Sequence, residues 1–358
     1  MKIITLCGTR PEIIRLSIII DKLDKLVDHV LVYTNQNYDY NLSQIFFEEL
    51  KIKPPKYYFY YEAKSFGDFI GNAMLEFEQI LIREKPDKVL ILGDTNSGLL
   101  AIVAQKYGIP VYHMEAGNRS YDERLPEEAN RKIIDSVSKY NLPYTENSKQ
   151  NLLREGYPTN FILKTGNPIY EVMRKYDNEI ENSDILSKLE IEENKYVLVT
   201  AHRKENVDDP ETLINIFNAL DMISNDTTVI FPIHPRTKEK YNNLNRGFID
   251  NNIKFIYPLG FFDFIKLEKN AKCVISDSGT VQEETTIMGV RAITIRESTE
   301  RLETIECGSN ILCGTRTFQI FDAYNAILKM EKHNWYVPEE YCVPNVSDIV
   351  IKILLGKV

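Results

Sequence analysis

The sequence predicts an α/β fold with two parallel sheets, and three observations carry that expectation. Short apolar, β-branched runs ending in Gly, Thr or Asp recur along the chain, each followed by a longer segment of helical period. The pattern stops at a string of breakers and then restarts. The length, 358 residues, corresponds to two domains at about 150 residues each. Hydrophobic residues at 43% and charged residues at 27%, with 16 Gly and 15 Pro, are the balance of a globular chain rather than a disordered or fibrous one.

In the first half the strands fall at Ile3 to Cys7, Val30 to Thr34, Lys88 to Leu92 and Val111 to Met114. The first three are short runs dominated by Ile, Leu and Val, and the fourth, Val-Tyr-His-Met, is shorter and mixed. Helices are expected near Glu12 to Leu26, Asp68 to Glu84 and Ser97 to Tyr107, joined by short loops. The string Lys164, Thr165, Gly166, Asn167, Pro168 carries two breakers, and a charged stretch from Arg174 to Lys195 follows it. The domain boundary is placed there, with residues 1–167 before it and 168–345 after it. Strands resume at Tyr196 to Thr200, Thr228 to Ile233, Ile253 to Tyr257, Lys272 to Ser276 and Ala292 to Ile295. No repeat of 20 to 50 residues relates the halves. The last segment, Val346 to Leu355, reads as helical, and residues 346–358 are expected to cross back onto the first domain.

Composition narrows the function. Forty-three Lys and Arg against 52 Asp and Glu give a formal charge of -9, so no global positive field gathers nucleic acid or an anionic membrane. Any anion must be met locally. The longest apolar runs, such as Val89 to Leu92 and Leu99 to Ala104, fall far short of the roughly 18 residues of a membrane span. The opening MKIITLCGTR reaches a Gly-Thr-Arg turn too early for a signal peptide, so a cytoplasmic protein is expected. The five cysteines (Cys7, Cys273, Cys307, Cys313, Cys342) lack the paired spacing of a zinc or disulfide framework and read as buried structural thiols.

Ligands of doubly wound sheets sit at the carboxyl ends of the strands, so the residues just after each strand are the informative ones. After the first come Gly8, Thr9, Arg10, Pro11 and Glu12, where Pro11 opens a helix and Arg10 stands at its N-terminus. That suits a phosphate, and equally a capped turn with a surface Arg. Asp94 and Glu115 follow two neighbouring strands and together form a pair able to move protons; alone, Asp94 also fits an N-cap. Pro126, Glu127, Glu128, Ala129, Asn130, Arg131 opens a helix with two acids and sets Arg131 one turn from Glu127, the spacing of an ordinary ion pair.

In the second half His202 and His234 occupy equivalent strand ends, which points to an anion site or a proton donor. The string Ser276, Asp277, Ser278, Gly279, then Gln282, Glu283, Glu284, is a strand, a Gly turn and a helix start whose amides and Ser278 hydroxyl suit a diphosphate. Glu284, a turn and a half further on, can accept ribose hydroxyls, or belong to a solvated acidic face. No GxGxxG fingerprint, GxxxxGK[ST] loop or metal-spaced His cluster occurs, so neither nicotinamide cofactor, P-loop nor metal is expected.

The ordered set GTRPE, GDTNS, MEAG, PEEANR, HRKEN, HPR, SDSG with QEE, and STER, running from Gly8 to about Arg301, resembles the non-hydrolysing UDP-N-acetylglucosamine 2-epimerase family. The resemblance implies two Rossmann-like domains in the arrangement of the GT-B glycosyltransferases, with the active site in the cleft between them. It implies a homodimer and a cofactor-free reaction in which UDP is eliminated to leave a 2-acetamidoglycal and is added back with carbon 2 inverted. Carried over by motif, Asp94, Glu115 and Glu127 would move protons and His202 would stabilise the departing diphosphate. Arg10, Ser278 and Gly279 would hold phosphate oxygens and Glu284 the ribose. Arg131 and Arg301 match residues near the sugar and diphosphate, His234 lies in the matching HPR motif, and Arg15 replaces the Lys common there.

Two departures stand out. Where activated members read roughly QHREM and carry a later Arg, this chain has Gln36, Asn37, Tyr38, Asp39 and then Asn72, which implies no activator site. The loop from Asn118 to Leu125 is shorter by about two residues than in the glucosamine enzymes and lacks their Ser-Pro-Trp. With NQNYDYNLSQIFFEEL, MEAGNR and GFFDF, it resembles the branch that forms UDP-N-acetyl-L-fucosamine from the talo-configured 6-deoxysugar for capsule or O-antigen synthesis.

Overall fold

The computed structural model describes residues 1–34, 43–60, 63–244, 252–331 and 334–357. The chain forms two compact units, Met1–Lys175 with Glu339–Val358, and Tyr176–Pro338. The first contains β1 (Lys2–Cys7), β2 (Asp28–Tyr33), β3 (Tyr57–Tyr58), β4 (Lys88–Leu92), β5 (Val111–Met114) and β6 (Tyr140–Leu142) in the order β3-β2-β1-β4-β5-β6. The second contains β7 (Tyr196–Thr200), β8 (Thr228–Pro232), β9 (Ile253–Ile256), β10 (Cys273–Ser276), β11 (Ala292–Thr294) and β12 (Asn310–Leu312) in the order β12-β11-β10-β7-β8-β9. All the pairings are parallel. Both sheets are doubly wound, each first strand lying beside its fourth.

The strands read as continuous apolar runs because both faces are covered. Val197 and Val199 point into the cluster formed with the Pro210–Ser224 and Thr317–Lys329 helices. Tyr196 and Leu198 point the other way, to Leu267 and Val274. In the first unit Ile4, Leu6, Val89 and Ile91 bury against Ala73, Phe77 and Ile80 of the Phe66–Glu84 helix. The nine expected strands are present within two residues at each end. The edge strands β3, β6 and β12, of only two or three residues each, are additional to these nine.

Helix α1 (Arg10–Leu26) is followed in space by the chain's last helix, Val346–Leu355, which buries Val346, Val350, Ile351 and Leu354. Lys22 Nζ donates to Ser347 Oγ at 2.7 Å, and the Ser347 amide donates to Glu171 Oε2 at 2.7 Å. The expected Ser97 to Tyr107 helix divides into a 3-10 turn, Asn96–Leu100, and an α-helix, Ala101–Lys106. Cys7, Cys273 and Cys307 are buried, whereas Cys313 and Cys342 are half-buried, correcting the expectation of five buried thiols. No helix of the described residues is long and apolar enough to cross a membrane.

Glu84 ties the end of the Phe66–Glu84 helix to two strands. It meets Lys56 Nζ at 2.6 Å, Tyr57 Oη at 2.5 Å and Lys2 Nζ at 2.9 Å. These donors, Lys56 first, pull its carboxyl down to about 2. The stabilisation is complete above the ordinary carboxylate range and is lost as pH falls from about 4.5 toward 2. Glu84→Gln is therefore expected to unfold about 1 kcal/mol more easily at neutral pH, a modest value because Lys56 is more than half exposed. Urea denaturation of both proteins between pH 7 and 3 checks this: the difference must shrink toward acid.

Candidate active site

In a doubly wound sheet the connections leave the two central strands in opposite directions and open a crevice at their carboxyl ends. In the first unit those strands are β1 and β4; in the second, β7 and β10. Arg10, Arg15 and Asp94 lie after β1 and β4, and Glu115 follows the adjacent β5. His202 follows β7, Ser278 and Gly279 follow β10, and His234 follows β8.

The turn after β1 is closed by Glu12, which sequence reasoning left among the helix-opening residues. The amides of Gly8 and Thr9 donate to its Oε2 at 2.5 and 3.2 Å, and the Thr95 hydroxyl donates to its Oε1 at 2.6 Å. One buried carboxyl thus joins the loops after β1 and β4. Burial outweighs these bonds and pushes it up to about 7. Arg10, at the first position of α1, is half-buried, with its guanidinium 5.9 Å from the Phe46 ring centre. It is not a simple surface Arg.

Asp94 is not a helix cap, since Thr95 occupies that position. Its Oδ2 accepts from Nε and Nη2 of Arg131 at 3.0 and 2.6 Å, while Arg131 Nη1 donates to Glu128 Oε2 at 3.1 Å. The ion pair suggested by the spacing of Glu127 and Arg131 therefore gives way to Asp94 and Glu128. Glu127 retains a buried Oε2 with no hydrogen-bond partner among the described residues. Its neighbour Glu128 shares that feature at Oε1, but its Oε2 is engaged, accepting also from Ser120 N and Oγ at 3.0 and 2.9 Å.

Glu115 adopts φ +66, a left-handed conformation that costs a non-Gly residue of order 1 kcal/mol. Several contacts impose it. Its amide donates to Leu142 O at 3.1 Å, Arg15 Nη1 donates to Oε2 at 3.2 Å and Asn118 Nδ2 to Oε1 at 3.3 Å. Beneath it, the His113 ring spans Asp135 Oδ1 at 2.8 Å and Gly93 O at 2.9 Å, and Asp135 Oδ2 accepts from Gly117 N at 3.2 Å and meets Arg119 Nη2 at 2.7 Å. Both loops that carry expected acids are thereby pinned to one buried network. Gly117 and Arg119 lie inside MEAGNR, His113 just before it and Asp135 beyond PEEANR, so no single motif announces the network.

In the second unit, β7 and β10 end in a hydroxyl pair, Thr200 Oγ1 and Ser276 Oγ, 2.6 Å apart. Ser278 N donates to Ser276 Oγ at 3.0 Å, and Ser278 stands at the N-cap of the Gly279–Met288 helix with its hydroxyl 2.9 Å from Thr280 Oγ1. A Cβ at Gly279 would lie 2.9 Å from Glu300 Oε1 and 3.7 Å from Arg301 Cζ, so the bare backbone lets charged side chains close on the helix start. Arg301 is buried and pairs through Nε with Glu283 Oε1 at 2.5 Å. Glu284 is 5% exposed, which rules out a solvated acidic face. The His202 and His234 rings are 6.1 Å apart, and His234 Nδ1 accepts from Arg236 N at 3.2 Å, leaving its proton on Nε2.

Two doubly wound units, one gathering carboxylates at its switch point and the other a helix start with histidines and an arginine, define an α/β enzyme. The chain belongs to the UDP-N-acetylglucosamine 2-epimerase family, whose profile matches residues 21–355, and is accordingly an isomerase. It is 42% identical to UDP-N-acetylglucosamine 2-epimerase of Methanocaldococcus jannaschii, with 94% of this chain and 95% of that protein aligned. It is 34% identical to UDP-2,3-diacetamido-2,3-dideoxy-D-glucuronate 2-epimerase of Pseudomonas aeruginosa over 90% of this chain and 91% of that one. The crystal structure of the M. jannaschii enzyme in complex with UDP-GlcNAc and UDP superposes with a TM-score of 0.93, 40% identity and 99% of each chain covered. That of the Neisseria meningitidis enzyme bound to UDP-GlcNAc gives 0.90 at 28% identity over 100% of each chain.

Proposed function

We propose that this enzyme inverts carbon 2 of a UDP-N-acetylhexosamine by eliminating UDP to a 2-acetamidoglycal and adding it back. The observation that carries the reading is a pair of carboxylates at neighbouring strand ends, Asp94 against Arg131 and Glu115 against Arg15, with Glu127 in the first turn of the next helix holding a buried oxygen that has no hydrogen-bond partner among the described residues. In the forward step a carboxylate takes the proton on carbon 2, the freed pair forms the C1–C2 double bond, and the C1–O pair departs on the diphosphate. In the return step a second carboxylic acid delivers a proton to the opposite face of carbon 2 as the diphosphate oxygen re-adds to carbon 1. Acids are therefore needed in more than one position.

In this reading Asp94, Glu115 and Glu127 move the protons. Arg10, His202, His234, Ser278, Gly279 and Arg301 oppose the charge that develops on the diphosphate, and Glu284 holds the ribose. Arg15 and Arg131 orient the acids they contact. The reaction needs no redox cofactor, since the proton lost is replaced by another. A cytoplasmic homodimer is part of the proposal, and light scattering of the purified protein tests the dimer.

For the sugar, the proposal is UDP-N-acetyl-6-deoxy-L-talosamine, converted to UDP-N-acetyl-L-fucosamine for capsule or O-antigen synthesis. Support comes from the short loop before Pro126, which a fork from Arg124 Nε and Nη2 to Asp122 at 2.8 and 2.6 Å closes. A sugar lacking one hydroxyl suits a shorter cover. The second reading, UDP-N-acetylglucosamine to its manno epimer, is supported by the name of the M. jannaschii relative. The expected absence of an activator site rests partly on Gln36 to Asp39, which lie outside the described residues; Asn72 is exposed and donates to Asp68 Oδ1 at 2.8 Å.

Proton NMR in deuterated water, with each of the two sugars in turn, tests the proposal. Conversion of the 6-deoxysugar with deuterium entering carbon 2 is the expected result. Manno product from UDP-N-acetylglucosamine alone selects the second reading, and epimerisation without deuterium uptake removes the elimination step.

A further inference from the structure

Between Ser276 and Ser278 stands Asp277, fully buried and given no role so far. Its Oδ2 accepts from the backbone amides of His202 and Arg203, both at 2.9 Å, and from Asn206 Nδ2 at 3.2 Å. That oxygen alone forms the shelf on which the turn after β7 rests. The other oxygen, Oδ1, is buried, has no hydrogen-bond partner among the described residues, and lies 3.5 Å from His202 Nδ1. A buried carboxylate oxygen without a donor is costly, and the ring nitrogen is the ionisable group beside it. A purely structural shelf needs one oxygen, which Asn would supply.

We propose that Asp277 is the positioning residue of His202, accepting the Nδ1 proton on Oδ1 so that the ring presents Nε2 outward and becomes a cation against the leaving diphosphate. The assignment rests on the reading of His202 as a diphosphate ligand. A small rotation of the half-exposed ring closes the gap to the usual hydrogen-bond distance of about 2.9 Å. The carboxylate then sets the tautomer and favours the imidazolium, which donates from both nitrogens. The other groups facing the ring do not replace it. His234 turns its own Nδ1 to the Arg236 amide, and the Arg203 guanidinium lies 3.5 Å from Glu205 and 3.7 Å from Glu300.

Asp277→Asn separates the two functions of this side chain. The Asn oxygen keeps the three donors of the shelf, while its NH2 group faces Nδ1 and demands a lone pair there. Nitrogen-15 NMR of histidine-labelled full-length protein, with the His202 signals assigned from a His202→Gln spectrum, reads the outcome. In the wild type the neutral ring is expected to carry its proton on Nδ1. In Asp277→Asn the proton moves to Nε2 and the ring titrates about one pH unit lower or more. The kcat for UDP-sugar epimerisation falls at least about tenfold near pH 7, with KM nearly unchanged.

An Nε2–H tautomer in the wild type overturns the proposal without recourse to a variant that fails to fold. So does a His202 titration identical in the two proteins. The ring measurement uses no sugar, so a failure of the epimerase reading, seen as no product from either substrate, leaves the Asp277–His202 pairing standing, removes only its role against the diphosphate, and is told apart from a failure of the pairing itself.

Discussion

Glu115→Gln is expected to lower turnover by more than about a hundredfold while the protein remains folded, because the change removes a proton acceptor and keeps its shape. The amide oxygen of Gln can still accept from Arg15 Nη1, now at 3.2 Å from Glu115 Oε2, but its NH2 group cannot accept from Asn118 Nδ2, so the 3.3 Å bond to Oε1 is lost. The buried Arg15 does lose its countercharge, at a cost of about 1 to 3 kcal/mol. A lowered melting temperature together with near-zero turnover is thus the expected pair of results. Steady-state kinetics beside a thermal melt checks it: wild-type kcat in the variant removes Glu115 from proton transfer. The same logic makes His202→Ala slow by a comparable factor, through loss of charge opposite the diphosphate.

The largest effect on folding is expected from Gly117→Ala. Gly117 has φ +79, and a Cβ there would lie 2.2 Å from Ser148 O and 2.8 Å from Leu152 Cγ. A backbone carbonyl cannot yield as a flexible side chain does. The loop would have to retreat from the Glu146–Arg154 helix, breaking the bonds from Asn151 Nδ2 to Gly117 O at 3.0 Å and from Gly117 N to Asp135 Oδ2 at 3.2 Å. With the left-handed conformation disfavoured as well, the loss is about 3 kcal/mol or more, enough to deplete folded protein. Soluble yield and a denaturant midpoint measure it, and a wild-type midpoint would show that the loop shifts freely. Any Gly117→Ala protein that folds should also lose activity, since Glu115 lies two residues away.

Legibility followed the kind of constraint each residue obeys. The runs at β1, β4, β7 and β10 could be read because strands buried on both faces are apolar over most of their length, with polar residues mainly at their ends. Strands β3 (Tyr-Tyr) and β6 (Tyr-Asn-Leu) could not, since neither contains the run of aliphatic residues that made even the three-residue β11 legible. Asp94 and Glu115 stood out as charges placed after apolar strands. Glu12, Glu128, Asp135 and Asp277 were no less charged, yet their partners lie on other elements or in turns whose shape no local pattern specifies. The helical spacing of Glu127 and Arg131 pointed to an ion pair that the fold does not form, because Asp94, 37 residues before Arg131 in the chain, offers its carboxylate at 2.6 Å.

By itself the sequence determined the fold class, two doubly wound sheets, and the family, because both are written in local order: apolar runs, breakers and motifs in series. Only the tertiary structure decided which acid meets which guanidinium. Arg15 finds Glu115 across 100 residues of chain, Arg131 chooses Asp94 over Glu127, and Asp277 takes the turn that carries His202. Electrostatic and hydrogen-bond energies act over a few ångströms of space, and separation along the chain says nothing of that distance until each sheet has brought its own strand ends together.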